Sequence, residues 1–358
     1  MSEKRLSIAQ EYPLTSALIL CMVFVALFLN ICALIQPFVI VHHKFLVFSE
    51  TGRVYSLIGT AKLMYQYKLY SIAILIVGFS IIFPFIKLFF LFIICYLMKS
   101  PSLRYRIVRI IDFFTKWSMF DVFVICIVLV LTNNQYFIAS DPKVGIYYFL
   151  IAIFLSIICS ILLEELCEKS YPEAKKNKEK FIQLLVHRSN KYEKTFFILL
   201  LLAAFIFYLL AITNNYIKIT SYFFIPNTYS IITTCVELWG NFRVLSVFVG
   251  IVLIVFPFVI YNNLFLFWSF SYYPEFHNKI FNIITTLRKF MMLDVFCLAL
   301  ILFLIEGEII IKTEYRNGLY MLILFVLASF LLPMIIKVYC FIKINILYKL
   351  KIKGKKIF

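Results

Sequence analysis

The chain has 358 residues, of which 63% are hydrophobic and 15% charged, with a mean hydropathy of +0.97 and a formal net charge of +17. A soluble domain is about half apolar and about a quarter charged, so a water-soluble globular fold is excluded and a multi-pass membrane protein is expected. The cations sit in short stretches between apolar runs, a pattern that orients membrane proteins and argues against a nucleic-acid partner.

In chain order, apolar runs predict membrane helices over about 14–36, 69–98, 118–137, 145–164, 195–213, 243–268, 291–306 and 318–342. Most approach the roughly 20 residues that cross about 30 Å of hydrocarbon. Eight spans bring residues 1–13, the loops 99–117 and 269–290, the linker and the tail to one side. Those segments carry most of the 35 Lys and Arg, which predicts a multi-pass protein with both termini in the cytoplasm. The first run is read as an uncleaved span, since it is long and lacks a small-residue cleavage site. Residues 37–56 and 214–229 alternate and are rich in Val, Phe and Tyr, so each reads as a small periplasmic β element after helices 1 and 5. A short amphipathic piece follows each, Leu57–Tyr67 and Ser230–Gly240. The loops 138–144 and 307–317 are too short for domains. The linker 168–194 is strongly charged, and Phe181, Leu184, Leu185 and His187 at helical spacing fit either an amphipathic helix on the inner leaflet or a solvated tether. The tail 351–358 is basic and reads as a topology anchor.

One segment is written twice at an offset of 173 residues. Pro84 recurs as Pro257, Pro101 as Pro274, Lys116 as Lys289, Met119 as Met292, Asp121 as Asp294, Gly145 as Gly318 and Cys167 as Cys340. The expected fold is therefore an all-α polytopic membrane protein of two tandem four-helix units, 14–167 and 195–350. An even number of spans per unit makes the repeat parallel.

The repeat carries the residues of chemical interest. Asp121 and Asp294 each open an apolar run, about 6 Å inside the helix end, where a carboxylate in lipid is costly. Two readings stand: an N-terminal helix cap, favoured by the free N–H groups and the dipole, or a polar contact inside the bundle with a cation, a lipid headgroup or a proton. Lys87 is a candidate partner for Asp121 but lies about 16 Å deep in a straight helix, so the pair requires snorkelling or a helix break. Pro84 and Pro257 are the break candidates. In the second copy Ile260 replaces Lys87, followed by Tyr261, Asn262 and Asn263, and Phe290 replaces Trp117. The spacing is symmetric but the chemistry is not. Lys116, Trp117, Ser118, Lys289, Asn262 and Asn263 complete the intramembrane polar or lipid-path candidates. The nine cysteines have no paired spacing and read as small buried residues. His42, His43, His187 and His277 form no metal or triad pattern, and no phosphate-binding loop is present. No metal, cofactor or enzymatic activity is expected.

Pro84-Phe85-Ile86-Lys87, Arg109-Ile110-Ile111-Asp112 and Lys116-Trp117-Ser118-Met119-Phe120-Asp121-Val122-Phe123 resemble the paraquat-inducible protein A family, which includes the lipophilic envelope-spanning tunnel protein A. The resemblance covers nearly the whole chain. It implies an inner-membrane protein that loads or unloads phospholipid at a periplasmic tunnel formed by a partner with mammalian-cell-entry domains. The zinc ribbons of many members, with paired C-x-x-C motifs, are absent from this sequence. Two other readings fit the same residues: a proton-coupled secondary transporter using Asp121, and a purely structural membrane anchor for the tunnel protein.

Overall fold

The computed structural model describes residues 6–45, 48–49, 53–66, 68, 70–133, 138–171, 173, 176, 182–183, 185, 190–219, 227–270, 273–307 and 313–352. Six helices are long and apolar enough to cross a bilayer: Pro13–Ile35, Ala73–Tyr96, Val144–Ser170, Lys191–Thr213, Arg243–Ser269 and Asn317–Lys343. Of the eight spans expected, six are matched by helices of this length among the described residues. The runs at 118–137 and 291–306 form shorter helices, Phe120–Asn133 and Leu293–Gly307, below the length that spans hydrocarbon alone. Leu14, Phe28, Phe89, Leu199, Val236 and Phe341 all face outward, the large apolar surface of a lipid-bathed protein.

The elements recur in one order along the chain. The first stretch holds α1 (Ile8–Glu11), α2 (Pro13–Ile35), β1 (Val39–Phe45), β2 (Phe48–Ser49), β3 (Arg53–Tyr55), α3 (Leu57–Gln66), α4 (Tyr70–Leu75), α5 (Phe83–Tyr96), α6 (Pro101–Thr115), α7 (Phe120–Asn133), β4 (Ile138–Pro142) and α8 (Val144–Ser170). The second holds α9 (Lys191–Thr213), β5 (Ile217–Ile219), β6 (Asn227–Tyr229), α10 (Ile231–Asn241), α11 (Arg243–Gly250), α12 (Phe256–Ser269), α13 (Pro274–Leu287), α14 (Leu293–Gly307), β7 (Thr313–Tyr315) and α15 (Asn317–Ile352).

Both β elements form where alternation predicts them, and each gains a strand that the sequence reading left as loop. β1 pairs antiparallel with β2, with β3 (Val39 opposite Tyr55) and with β4 (Val39 opposite Pro142). β5 pairs antiparallel with β6 (Ile217 opposite Tyr229) and with β7 (Ile217 opposite Tyr315). The short segments 138–142 and 313–315 thus tie the last helix of each stretch to the sheet that follows its first helix. Strands this short show too few alternations to be recognised from pattern.

Gly145 and Gly318 stand at the foot of these sheets, where the last helix begins. The Gly145 N–H donates to Pro37 O at 3.1 Å, and the Gly318 N–H donates to Asn215 O at 2.9 Å. A Cβ at Gly145 would meet Pro37 O at 2.7 Å, and one at Gly318 would run into Asn214 O. Both contacts are with backbone, which cannot swing aside. Gly145→Ala and Gly318→Ala are each expected to destabilise by about 1–3 kcal/mol, read as a lowered unfolding temperature in detergent.

The prolines do not break their helices. Each follows a widened π segment, Ile76–Ile82 before Pro84 and Ile251–Val255 before Pro257. The wide turns absorb the missing N–H and keep the span continuous. In the second stretch the Tyr208 hydroxyl also donates to Ile254 O within the wide turn.

The expected loops 99–117 and 269–290 are helices. α6 and α13 open with Pro101 and Pro274 at the first turn, where proline is well accommodated. α6 buries Arg104, Val108, Ile111 and Thr115 along one face, and α13 buries His277, Ile280 and Ile284. Charged residues on the other faces give the segments the composition of loops. Of the linker residues nominated from spacing, Phe181, Leu184 and His187 lie outside the described residues, as does the tail from 353. Leu185 and the neighbouring Ile182 are buried in the protein core.

That core is continuous between the stretches. Phe123 meets its repeat equivalent Phe296 edge-to-face at 5.8 Å, and both Phe123 and Phe154 contact Phe248. A second cluster joins Ile8, Ile19, Leu91, Val108, Leu163 and Cys167 at the end of the bundle remote from the sheets. All nine cysteines are free, and six of them are buried.

Candidate functional site

The repeated lysines lie between α6 and α7 in the first stretch and between α13 and α14 in the second. Lys116 starts a 3₁₀ turn, Lys116–Met119, that leads into α7. Lys289 sits in the turn between α13 and α14. This placement brings each lysine to the seam between the stretches, and each crosses it.

Lys116 Nζ is ion-paired with the Asp294 carboxylate. Asp294 is almost fully buried and also accepts the Val295 N–H at 3.1 Å. It therefore accepts within the first turn of α14 and acts as a cross-seam acid at the same time, its bond to the next residue lacking the i+2 or i+3 geometry of an N-cap. In the other direction, Lys289 Nζ lies 2.7 Å from Asp112 and 2.5 Å from Glu164. Both acids belong to the first stretch, on α6 and α8. Burial pushes the Asp112 carboxyl above its ordinary value, with Lys289 opposing the shift. Burial pushes Lys289 down, but Asp112 and Glu164 more than offset it, and its pKa lies above the usual lysine value. Lys289 thus sits between two carboxylates that favour its charged form.

Lys87 takes no part in these ion pairs among the described residues. It is buried in α5, and its Nζ donates to Ser156 Oγ at 2.9 Å. Ser156 in turn donates to Ile153 O at 2.8 Å. Among the described residues Lys87 has no carboxylate at ion-pair distance. The side chains of Asp121 and Ser118 lie outside the described residues. Trp117 is half-buried, with its ring 5.8 Å from Phe79. In the second stretch, Ile260 at the Lys87 position is buried, Asn262 is exposed, and Asn263 donates to Val259 O on its own helix at 2.8 Å.

Sequence reasoning missed Asp112 and Glu164 as partners of Lys289, and Asp294 as the partner of Lys116. The available signal was the register: two lysines at one repeat position, each close before an acid, with Asp112 and Glu164 found only in the first copy. A further buried cation, Arg104, reaches Glu11 at 3.4 Å, while its Nε and Nη1 are without hydrogen-bond partners. Glu11 also accepts from Ser170. In the second stretch Glu193 does the corresponding work, taking Lys343 at 2.9 Å and Tyr339 at 2.6 Å. Among the described residues no group of three His, Cys, Asp or Glu is placed to hold a metal.

Helices of membrane length, an interior of cross-seam ion pairs and a buried lysine donating to a serine mark a multi-pass membrane protein with a polar interior. The family model for paraquat-inducible protein A matches residues 16–165 and again residues 196–338, and the chain belongs to that family. No curated protein and no solved structure gives a significant match.

Proposed function

We propose that the chain is the inner-membrane component of an intermembrane lipid transport system, passing phospholipid to or from a periplasmic partner built of mammalian-cell-entry domains. It has two tandem four-span units, 14–167 and 195–350. The short helices α7 and α14 complete the eight spans, shielded from lipid by the longer ones. The basic ends of the bundle, with Arg104, Arg106 and Arg109 on α6, face the cytoplasm with both termini. The two sheets face the periplasm and dock the partner. The protein moves lipid without covalent chemistry.

The observation that carries the reading is Lys87. A fully buried lysine whose partner among the described residues is a hydroxyl is costly at membrane depth, and a site on a polar path through the membrane accounts for that cost. Family membership supplies the system. The test is complementation of a strain lacking the chain. Lys87→Ala at wild-type abundance should leave the envelope sensitive to detergents and apolar antibiotics. Full restoration of the barrier by Lys87→Ala would remove Lys87 from the function.

A further inference from the structure

A cavity of about 750 Å³ lies beside the cross-seam ion pairs, between α6 of the first stretch and α12, α13 and α15 of the second. Its volume is typical of small-molecule sites. One wall is apolar, formed by residues such as Leu264, Trp268 and Ile336. Three cations share the remaining lining: Arg109, Arg288 and Lys337. None of them has a carboxylate at ion-pair distance among the described residues, although Arg109 lies over the Tyr105 ring at 4.9 Å.

The repeat explains why this space is open and basic. At the 173-residue offset, the cavity residues Thr285 and Lys337 stand where the first stretch has Asp112 and Glu164. In the first stretch those acids receive Lys289. The corresponding lysine, Lys116, is held by Asp294 instead. A cation at Lys337 also repels any second lysine from the position equivalent to the acidic socket. The place filled by an ion pair in one stretch is a positively charged cavity in the other. Cations around an apolar space, without a carboxylate partner among the described residues, are satisfied by an amphiphile with an anionic head, whose phosphate supplies charge-assisted hydrogen bonds.

We propose that this cavity binds a phospholipid with an anionic headgroup, its phosphate held by Arg109, Arg288 and Lys337 and its acyl chains on the Leu264–Trp268 wall. This deepens the lipid-transport reading and rests on it for its biological sense. Trp268 lines the cavity and provides the probe. The full chain in neutral detergent, with Trp117→Phe and Trp239→Phe leaving Trp268 as the sole tryptophan, is titrated with brominated-chain phosphatidylglycerol and with brominated-chain phosphatidylcholine. Quenching by phosphatidylglycerol should saturate at a concentration at least about tenfold lower than with phosphatidylcholine, a difference of about 1.4 kcal/mol. Arg109→Gln with Lys337→Gln should abolish that preference. If the double variant does not fold, Lys337→Gln alone should reduce it about threefold. Equal quenching by the two lipids, or an unchanged preference in the folded variants, would overturn the proposal. So would full displacement of the lipid by inorganic phosphate, which would mark a free-phosphate site. The envelope assay on Lys87→Ala reads the transport function independently. Lost lipid preference with an intact Lys87 phenotype sinks only the cavity, and the converse sinks only the transport reading.

Discussion

Lys289→Ala should destabilise the protein by about 3–5 kcal/mol, because it leaves two largely enclosed carboxylates without their cation. Lys289 is 14% exposed and bridges Asp112 (11%) and Glu164 (24%), so solvent cannot easily replace it. The loss should also depend on pH, and the sign follows from Asp112. Burial already holds that carboxyl above the ordinary aspartate value of 3.8, with Lys289 working against the shift. Removing Lys289 raises it further. An acid whose folded pKa exceeds its unfolded one loses stability as pH rises from the unfolded value through the folded one. The variant should therefore melt closer to wild type at pH 5 than at pH 8, read by thermal unfolding in detergent. Adding Asp112→Asn and Glu164→Gln should recover most of the loss, since neutral partners need no counter-charge. A deficit that is equal at both pH values and unrelieved by the neutral partners would mean that Lys289 acts by packing alone.

Reversing either partner of the Lys116–Asp294 pair should be similarly costly. Lys116→Asp or Asp294→Lys alone places like charges together at a nearly buried site, with an expected loss of about 3–5 kcal/mol. The double reversal should regain about 1–3 kcal/mol through restored pairing. Recovery should be incomplete because Asp294 also accepts the Val295 N–H in the first turn of α14. A lysine there faces the positive end of the helix and forfeits about 0.5–1 kcal/mol. Additive losses with no recovery in the double variant would show that the two residues are not coupled.

Much of this architecture is written in the chain. The apolar runs announce the long helices, the alternating segments announce β1 and β5, and the 173-residue offset announces the recurrence of elements. The illegible parts have identifiable causes. Residues 101–115 and 274–287 carry charge on one face, so their composition resembles loops, while the buried stripe Arg104, Val108, Ile111 contains a cation where an apolar residue is expected. The strands β4 and β7 are too short to show a period, and only their pairing with β1 and β5 defines them. The site was half legible. Register singles out Lys116, Asp294 and Lys289, but spacing along one chain cannot say that partners lie across the seam. Reading Asp121 against Lys87 looks within one stretch, whereas the described lysines of the repeat both find acids in the other. The same offset, read for its exceptions, is what locates the basic cavity: Thr285 for Asp112 and Lys337 for Glu164.

The central claim is that the chain hands phospholipid to a soluble acceptor by a route that needs Lys87. The most direct measurement is transfer of labelled phospholipid from vesicles containing the purified chain to the soluble mammalian-cell-entry-domain partner. Wild-type protein should transfer label and Lys87→Ala, folded and inserted to the same extent, should not. Equal transfer by the two proteins, or none by wild type, would contradict the account.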